Sequence, residues 1–387
     1  MKTRDGLSIA GIQQFLLATS ILLYPLAAFS HILYLIPQLI LIVITLFKYE
    51  IRLNLFRICL LFFGFFSFFI PFFVEISVAN ISYDLILKMA INIITIIIVA
   101  GDKSFFIDKK ILVYIRVMLG TWLFIAILAY SKAGISGITS LIYNLSVGDD
   151  LNSSTLYATA GPVEKIFLTK NISSMFMVAV YSIYVYVSMN TKESVSNVVS
   201  ALFLLIVFLF MSRQGLLAFL IVFFYYKYFT FGKFGKSLTI GVLFCSMIYV
   251  FSKLFNLNNS EDGASQRVEL WMFFFENYND FLLFGVGQEK LSSILNTYIG
   301  IDNFHMFFMN QIGVYGVFHF LSFSFFLIIV YLLGSGQHKL VLVFAYMLNV
   351  LFQTFGYEYG NLVLFLVMLL NFKNKDVCGQ KELSVVR

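Results

Sequence analysis

Apolar runs of about twenty residues recur through almost the whole chain, and they constrain its fold more than any other feature. An α-helix needs about 20 such residues to cross roughly 30 Å of hydrocarbon. In lipid, every backbone N–H and C=O must be paired inside the segment, which leaves helices as the reading for runs of this kind. Segments near 7–28, 30–47, 58–75, 84–100, 111–130, 166–188, 198–211, 214–230, 237–255, 308–332, 340–354 and 361–372 predict about twelve spans. Charged residues make up only 12% of the chain and the mean hydropathy is +0.91, whereas a soluble domain carries about 25% charged residues. The expected architecture is an all-α polytopic membrane protein forming one integral membrane domain over residues 1–387. The charged stub at 1–6 leads into an apolar segment too long for a cleaved signal peptide, so the chain is expected to keep its N-terminus.

Charge orients the spans. With both termini on the cytoplasmic side, most Lys and Arg of the connecting segments fall on that side, as the positive-inside rule demands. Only Lys132, Lys165, Lys170, Arg213, Lys253, Arg267 and Lys290 fall opposite, while Arg116 and Lys88 sit within spans. The acidic residues lean the other way: Asp149, Asp150, Glu164, Glu261, Asp262, Glu269, Glu276, Asp280, Glu289, Asp302 and Glu358 are all placed outside. The net charge of +6 therefore reflects topology and gives no reason to expect nucleic acid as a partner. Cys59, Cys245 and Cys378 are scattered, with no metal-site or disulfide spacing, and read as small apolar fillers.

Two larger loops break the pattern on the outer side, at 131–165 and 256–304. Long loops between spans usually carry function, because short ones suffice for connection. Within the second, 266–278 predicts an amphipathic helix lying at the interface, with Val268, Leu270, Trp271, Phe274, Phe275 and Tyr278 on its apolar side. Asp262 or Ser265 is available to cap its start, and Asn279-Asp280 is expected to end it. Gly285-Val286-Gly287 then demands a tight turn or a close backbone approach.

The residues able to carry chemistry gather where outer loops meet spans. Lys170-Asn171 opens the sixth span, Ser212-Arg213-Gln214-Gly215 opens the eighth, Arg267 opens the loop helix, and Asn303-Phe304-His305 precedes the tenth. Those spans all run from outside to inside, so their N-termini meet on one face. A helix N-terminus presents unpaired N–H groups and partial positive charge, and a cation there costs energy unless an anion is near. A phosphate would supply that anion, and the guanidinium fork suits its oxygens. Singly, each residue has a plainer reading: an interfacial Arg is usually an anchor, Lys170 could snorkel, and a His need have no chemical role. His31, His319 and His338 are read in that plainer way.

The succession SRQG, then QRVELW followed by FGVG, then DNFHMFFMNQIGVYG resembles the O-antigen polymerase and ligase superfamily of bacterial envelopes, with LTKN at 168–171 similar to its K-N element. The resemblance covers roughly residues 165–330 and points most directly to a Wzy-type O-antigen polymerase. It implies a glycosyltransferase of lipopolysaccharide biosynthesis in the bacterial inner membrane, working on the periplasmic face. Its donor and acceptor would be oligosaccharides on undecaprenyl diphosphate, and a flippase and a chain-length regulator would serve the same pathway. By position, Arg213 and Arg267 would bind the donor diphosphate and His305 would act on the acceptor hydroxyl. Lys170, Asn171, Ser212, Gln214, Glu269, Trp271, Asn303 and Tyr357 are the accompanying candidates for substrate binding, with Tyr357 and Tyr359 able to stack on sugar.

No cofactor is expected. The first outer link, Phe29-Ser30-His31, lacks the carboxylate that metal-using enzymes of this kind place there, and Asp149-Asp150 reads as solvated loop. A ligase attaching finished polymer to lipid A–core shares the motifs. A flippase would need ionisable residues at mid-membrane depth, where only Lys88, Arg116 and a few Tyr or Asn qualify.

Overall fold

The computed structural model describes residues 9–26, 28, 32–48, 54–77, 83–102, 104–134, 139, 153–254, 263–354 and 356–372. Both chain ends (with Cys378), the 29–31 link and Asp149-Asp150 lie outside those residues.

Every predicted apolar stretch is helical: α1 Ile9–Leu23, α2 Leu35–Lys48, α3 Leu55–Ser77, α4 Tyr83–Gly101, α5 Lys110–Ala133, α7 Lys170–Asn190, α8 Asn197–Leu209, α9 Arg213–Thr230, α10 Lys233–Leu254, α14 Phe307–Leu333, α15 Leu340–Phe352 and α16 Tyr359–Met368. By length and composition, α3, α5, α7 and α14 can each cross a membrane alone, and several of the others are shorter apolar helices. The outer faces carry large bare side chains, such as Phe62 and Phe73 on α3 and Val117 and Phe124 on α5. Contiguous apolar surface on this scale needs lipid against it. The chain is an all-α membrane protein, with one two-residue parallel bridge joining Phe106–Ile107 to Asn371–Phe372.

Helix α7 stands at the centre. Every side chain from Ser173 to Ser188 is buried, the pattern of a helix enclosed on all sides. It packs against α5, α8, α9, α15 and α16, while α14 packs along α3.

Both larger loops hold more helix than their composition suggests. The first contains α6, Ser153–Glu164, whose Ala160 and Val163 are fully buried. The second contains α11 Gly263–Glu276, a single turn α12 Tyr278–Phe281, and α13 Gln288–Ile299. The expected amphipathic helix is therefore present but ends at Glu276, not at Asn279-Asp280. Asn277 stops it: its backbone N–H (3.1 Å) and its side-chain amide (2.9 Å) both donate to the Phe273 carbonyl. Ser265 lies inside α11, so it is not the cap, and Asp262 lies outside the described residues. Buried Leu291 and Leu295, spaced i and i+4, seat α13 on the bundle, and Gly300 closes it in the left-handed region.

The Gly285-Val286-Gly287 turn makes the close approach its glycines demanded. Helix α14 breaks at Gly316 (φ 81°, ψ 173°), and the loop takes over the broken bonds. Val286 N–H donates to the Gly313 carbonyl (3.0 Å) and Gly287 N–H to Val314 (2.9 Å), while Val317 N–H donates to Leu282 (2.7 Å). Irregular backbone in an apolar surround survives only when its polar groups are paired in this way. A Cβ at Gly316 would come within 2.1 Å of the Leu283 carbonyl oxygen, and one at Gly285 within 2.3 Å of Val314 backbone.

Gly316→Ala is expected to cost about 3 kcal/mol or more, combining a glycine-only conformation with a backbone clash. Gly300→Ala, also at positive φ but facing open space, should cost only about 1 kcal/mol. Thermal unfolding in detergent compares them; equal melting temperatures would contradict the loop exchange at Gly316.

Candidate functional site

The four sequence elements come together at one end of the bundle, and each is held there by an identifiable contact. Helix α8 closes at Phe210; Met211 turns the chain with φ 51°, and Ser212 in extended conformation caps α9. The Ser212 hydroxyl accepts from Gly215 N–H (3.3 Å) and donates to Asn171 Oδ1 (3.0 Å). It thus caps its own helix and ties it to the start of α7. Gly215 makes the approach possible, since a Cβ there would lie 1.8 Å from Ser174 Oγ. Serine and glycine of this element set the spacing of α7 and α9; Arg213 and Gln214 between them are thereby set beside Lys170.

Lys170 is buried at the first position of α7, and its charged neighbours are Glu164 and Arg213. Its backbone N–H donates to Glu164 Oε1 at 2.8 Å. The anion expected at this helix start is therefore in part a protein carboxylate, supplied by the last residue of α6. Nothing in the spacing of Glu164 marked it for that role.

Arg267 reaches the same place from α11. With the amide oxygen facing the guanidinium, Gln214 accepts from Nη1 (2.8 Å) and Nη2 (2.6 Å) of Arg267. The guanidinium also lies over the Phe352 ring, 5.4 Å from its centroid. One turn along, Leu270 and then Phe274 anchor α11 in an aromatic cluster, where Phe274 meets Phe304 edge to face at 5.2 Å.

That cluster also places His305. Phe304 is fully buried, and the next residue adopts φ 49°, a left-handed conformation rare for a non-glycine. Asn303 holds the turn: its Oδ1 accepts from His305 N–H (2.9 Å), and its Nδ2 donates to Asp302 (2.6 Å). Burial lowers the His305 pKa below its ordinary value, the Arg267 charge lowers it further, and Asp302 pulls it partly back. At neutral pH the ring is therefore an uncharged imidazole, able to accept a proton.

Of the remaining candidates, two share α11 with Arg267, and the two tyrosines expected on the outside are buried. Trp271 is half-buried against the aromatic cluster, and Glu269 is exposed on α11. Tyr357 is buried in a network with Gln311 and Tyr315, its carbonyl accepting from Asn92 Nδ2 at 3.1 Å. Tyr359 is buried against Tyr24 and Tyr34, bonded to the Ser20 hydroxyl. Sequence reasoning also passed over Glu75 near the end of α3. Its carboxylate accepts from Gln288 N–H (3.3 Å) and so caps α13 from another part of the chain.

Residues 198–324 match the family model described as O-antigen ligase. The matched stretch takes in Arg213, Arg267 and His305, beginning at α8 and ending within α14. Comparison with curated proteins gives no match.

Asp302→Asn should lower the His305 pKa further, because it removes a carboxylate charge that favours the imidazolium. Carbethoxylation of the His305 peptide, which requires neutral imidazole, should then be faster near pH 5.5 than in the parent. A slower reaction, read by mass spectrometry, would reverse the assigned electrostatics.

Proposed function

We propose, from the family model matched at residues 198–324 and from the order of the motifs, that the chain is a member of the O-antigen polymerase and ligase superfamily and works as an O-antigen polymerase. It joins lipid-linked oligosaccharide repeats on the periplasmic face of the bacterial inner membrane, with undecaprenyl diphosphate as the leaving group. The observation that carries this reading is the meeting of Lys170, Arg213 and Arg267 with a neutral His305 at one end of an apolar bundle.

The roles follow from charge. A diphosphate is already a good leaving group, so the donor needs anion stabilisation more than a strong acid, and the two guanidinium groups supply it. Gln214 occupies one edge of Arg267 and Phe352 one face, which holds the fork in a fixed orientation. Asn171 and Ser212 hold the start of α7 against that of α9, so Lys170 and Arg213 stay together without the substrate. The acceptor hydroxyl is a poor nucleophile. His305 takes its proton as the hydroxyl oxygen bonds to the anomeric carbon; the bond from that carbon to the diphosphate breaks, and its electron pair leaves with the lipid. In-line attack inverts the anomeric centre. No step calls for a metal.

A ligase that moves finished polymer onto lipid A–core would use the same groups, and the description of the matched family favours keeping it as the second reading. The two differ in the acceptor.

Deleting the gene in its native host and examining surface-polysaccharide banding separates them. Core bearing a single repeat, with the ladder gone, marks a polymerase. Bare core with long polymer left on the carrier marks a ligase and overturns the proposal. With purified protein, Arg213→Ala, Arg267→Ala and His305→Ala should each slow chain synthesis by roughly 100-fold or more without affecting membrane insertion. Near-parental synthesis by one of them removes that residue from the mechanism. EDTA should leave the rate unchanged; inhibition reversed by a divalent metal would contradict the metal-free scheme.

A further inference from the structure

We infer that the cavity around Glu358 is a binding subsite for one sugar ring of the acceptor saccharide. Identifying the saccharide as acceptor rests on the polymerase reading; the subsite itself rests on the chemistry of the cavity walls.

The cavity measures about 130 Å³ and is lined by Tyr24, Tyr34, Lys88, Ile172, Tyr357 and Glu358, among others. At the 10–15 Å³ each ordered water needs, that is room for roughly ten water-sized groups, the scale of a single pyranose. Glu358 immediately precedes α16 and keeps part of its surface accessible. Tyr24 donates a hydrogen bond to its Oε2 at 2.9 Å, and Lys88 is its charged neighbour. Gly360 lets Tyr24 come that close, since a Cβ there would meet the Tyr24 ring at 2.6 Å.

Opposite charges set together only for stability would be packed tight, because charges held away from bulk water are worth keeping only when their remaining valences are filled. Here open space adjoins both partners. A smaller void on the other side of Glu358 is bordered by Asn349 and Gln353, whose Oδ1 and Nε2 are buried without a protein partner. Carboxylate and amide oxygens can accept from sugar hydroxyls, while an ammonium and an amide N–H can donate to them. Tyr24 and Tyr34, with ring centroids 5.1 Å apart, offer aromatic surface to ring C–H groups. A diphosphate would be repelled by the carboxylate, and a polyprenyl tail would leave these polar groups unpaired.

The position fits a sugar lying next to the reacting centre. Ile172 follows the Lys170-Asn171 element directly, and Gln353 follows Phe352, over which the Arg267 guanidinium lies.

The test uses the full-length protein in detergent and the free repeat-unit oligosaccharide, released by mild acid from its lipid carrier. Calorimetry should show binding by the parent, about tenfold or more weaker binding by Glu358→Gln, and unchanged binding by Phe124→Ala on the exposed face of α5. Equal affinity in Glu358→Gln, or no binding by the parent at millimolar saccharide, overturns the subsite. If Glu358→Gln does not fold, Lys88→Gln takes its place under the same criteria. Failure of the polymerase reading would appear separately, as an unaltered polysaccharide ladder in the deletion strain.

Discussion

The candidate site is built on the hydrogen bonds and close contacts made at the start of a helix enclosed on every side. Helix α7 has almost no surface facing water or lipid, yet it carries serines, tyrosines, two asparagines and a lysine. Asn171 finds the Ser212 hydroxyl, Tyr181 finds Ser200 (3.0 Å), and the Lys170 backbone finds Glu164. In a low-dielectric interior each such pairing is worth more than in water, and its loss costs more. The first of these bonds joins the starts of two helices, which is what puts Arg213 and Lys170 in one place.

The second frame is the exchange between the glycine turn at 285–287 and the broken helix α14. Gly313 and Val314 give their carbonyls to the loop, and Val317 takes Leu282 in return. Around this exchange sits one aromatic cluster, holding Phe274 of the Arg267 helix and Phe304 beside His305. Two groups from different parts of the chain therefore share one rigid support. Many residues of the motif-bearing stretches act as holders: Ser212 and Gly215 set a helix spacing, Gly285 and Gly316 permit a backbone contact, and Asn303 fixes a left-handed turn.

Charges near the bundle arrive with neighbours. Lys170 lies near Glu164, Lys88 near Glu358, and Glu75 accepts a helix N-terminus. Isolated charges in such surroundings would be far too costly to keep. Lys170 and Arg213 nonetheless lie side by side where the motifs meet, although like charges repel. That juxtaposition of cations is the electrostatic ground for the proposal of an anionic substrate.

Hydrophobic patterning alone determined the class of this protein and the place of its long apolar helices, because crossing lipid dictates both the length of a helix and its lack of charge. The order of the motifs likewise marked Arg213, Arg267 and His305, and the glycines at 285 and 287 announced tight backbone, while the break at Gly316 came from the structure. The tertiary structure alone decided which partner each residue has. Gln214 looked like one more polar residue beside Arg213, but it is the acceptor for Arg267 from more than fifty positions away. Helix α6, with the Glu164 that serves Lys170, lies in a stretch whose small polar residues read as loop. Glu75 and Glu358 carried no local pattern, because a carboxylate's role depends on what folds against it, and pairings across such distances leave no periodicity in the chain.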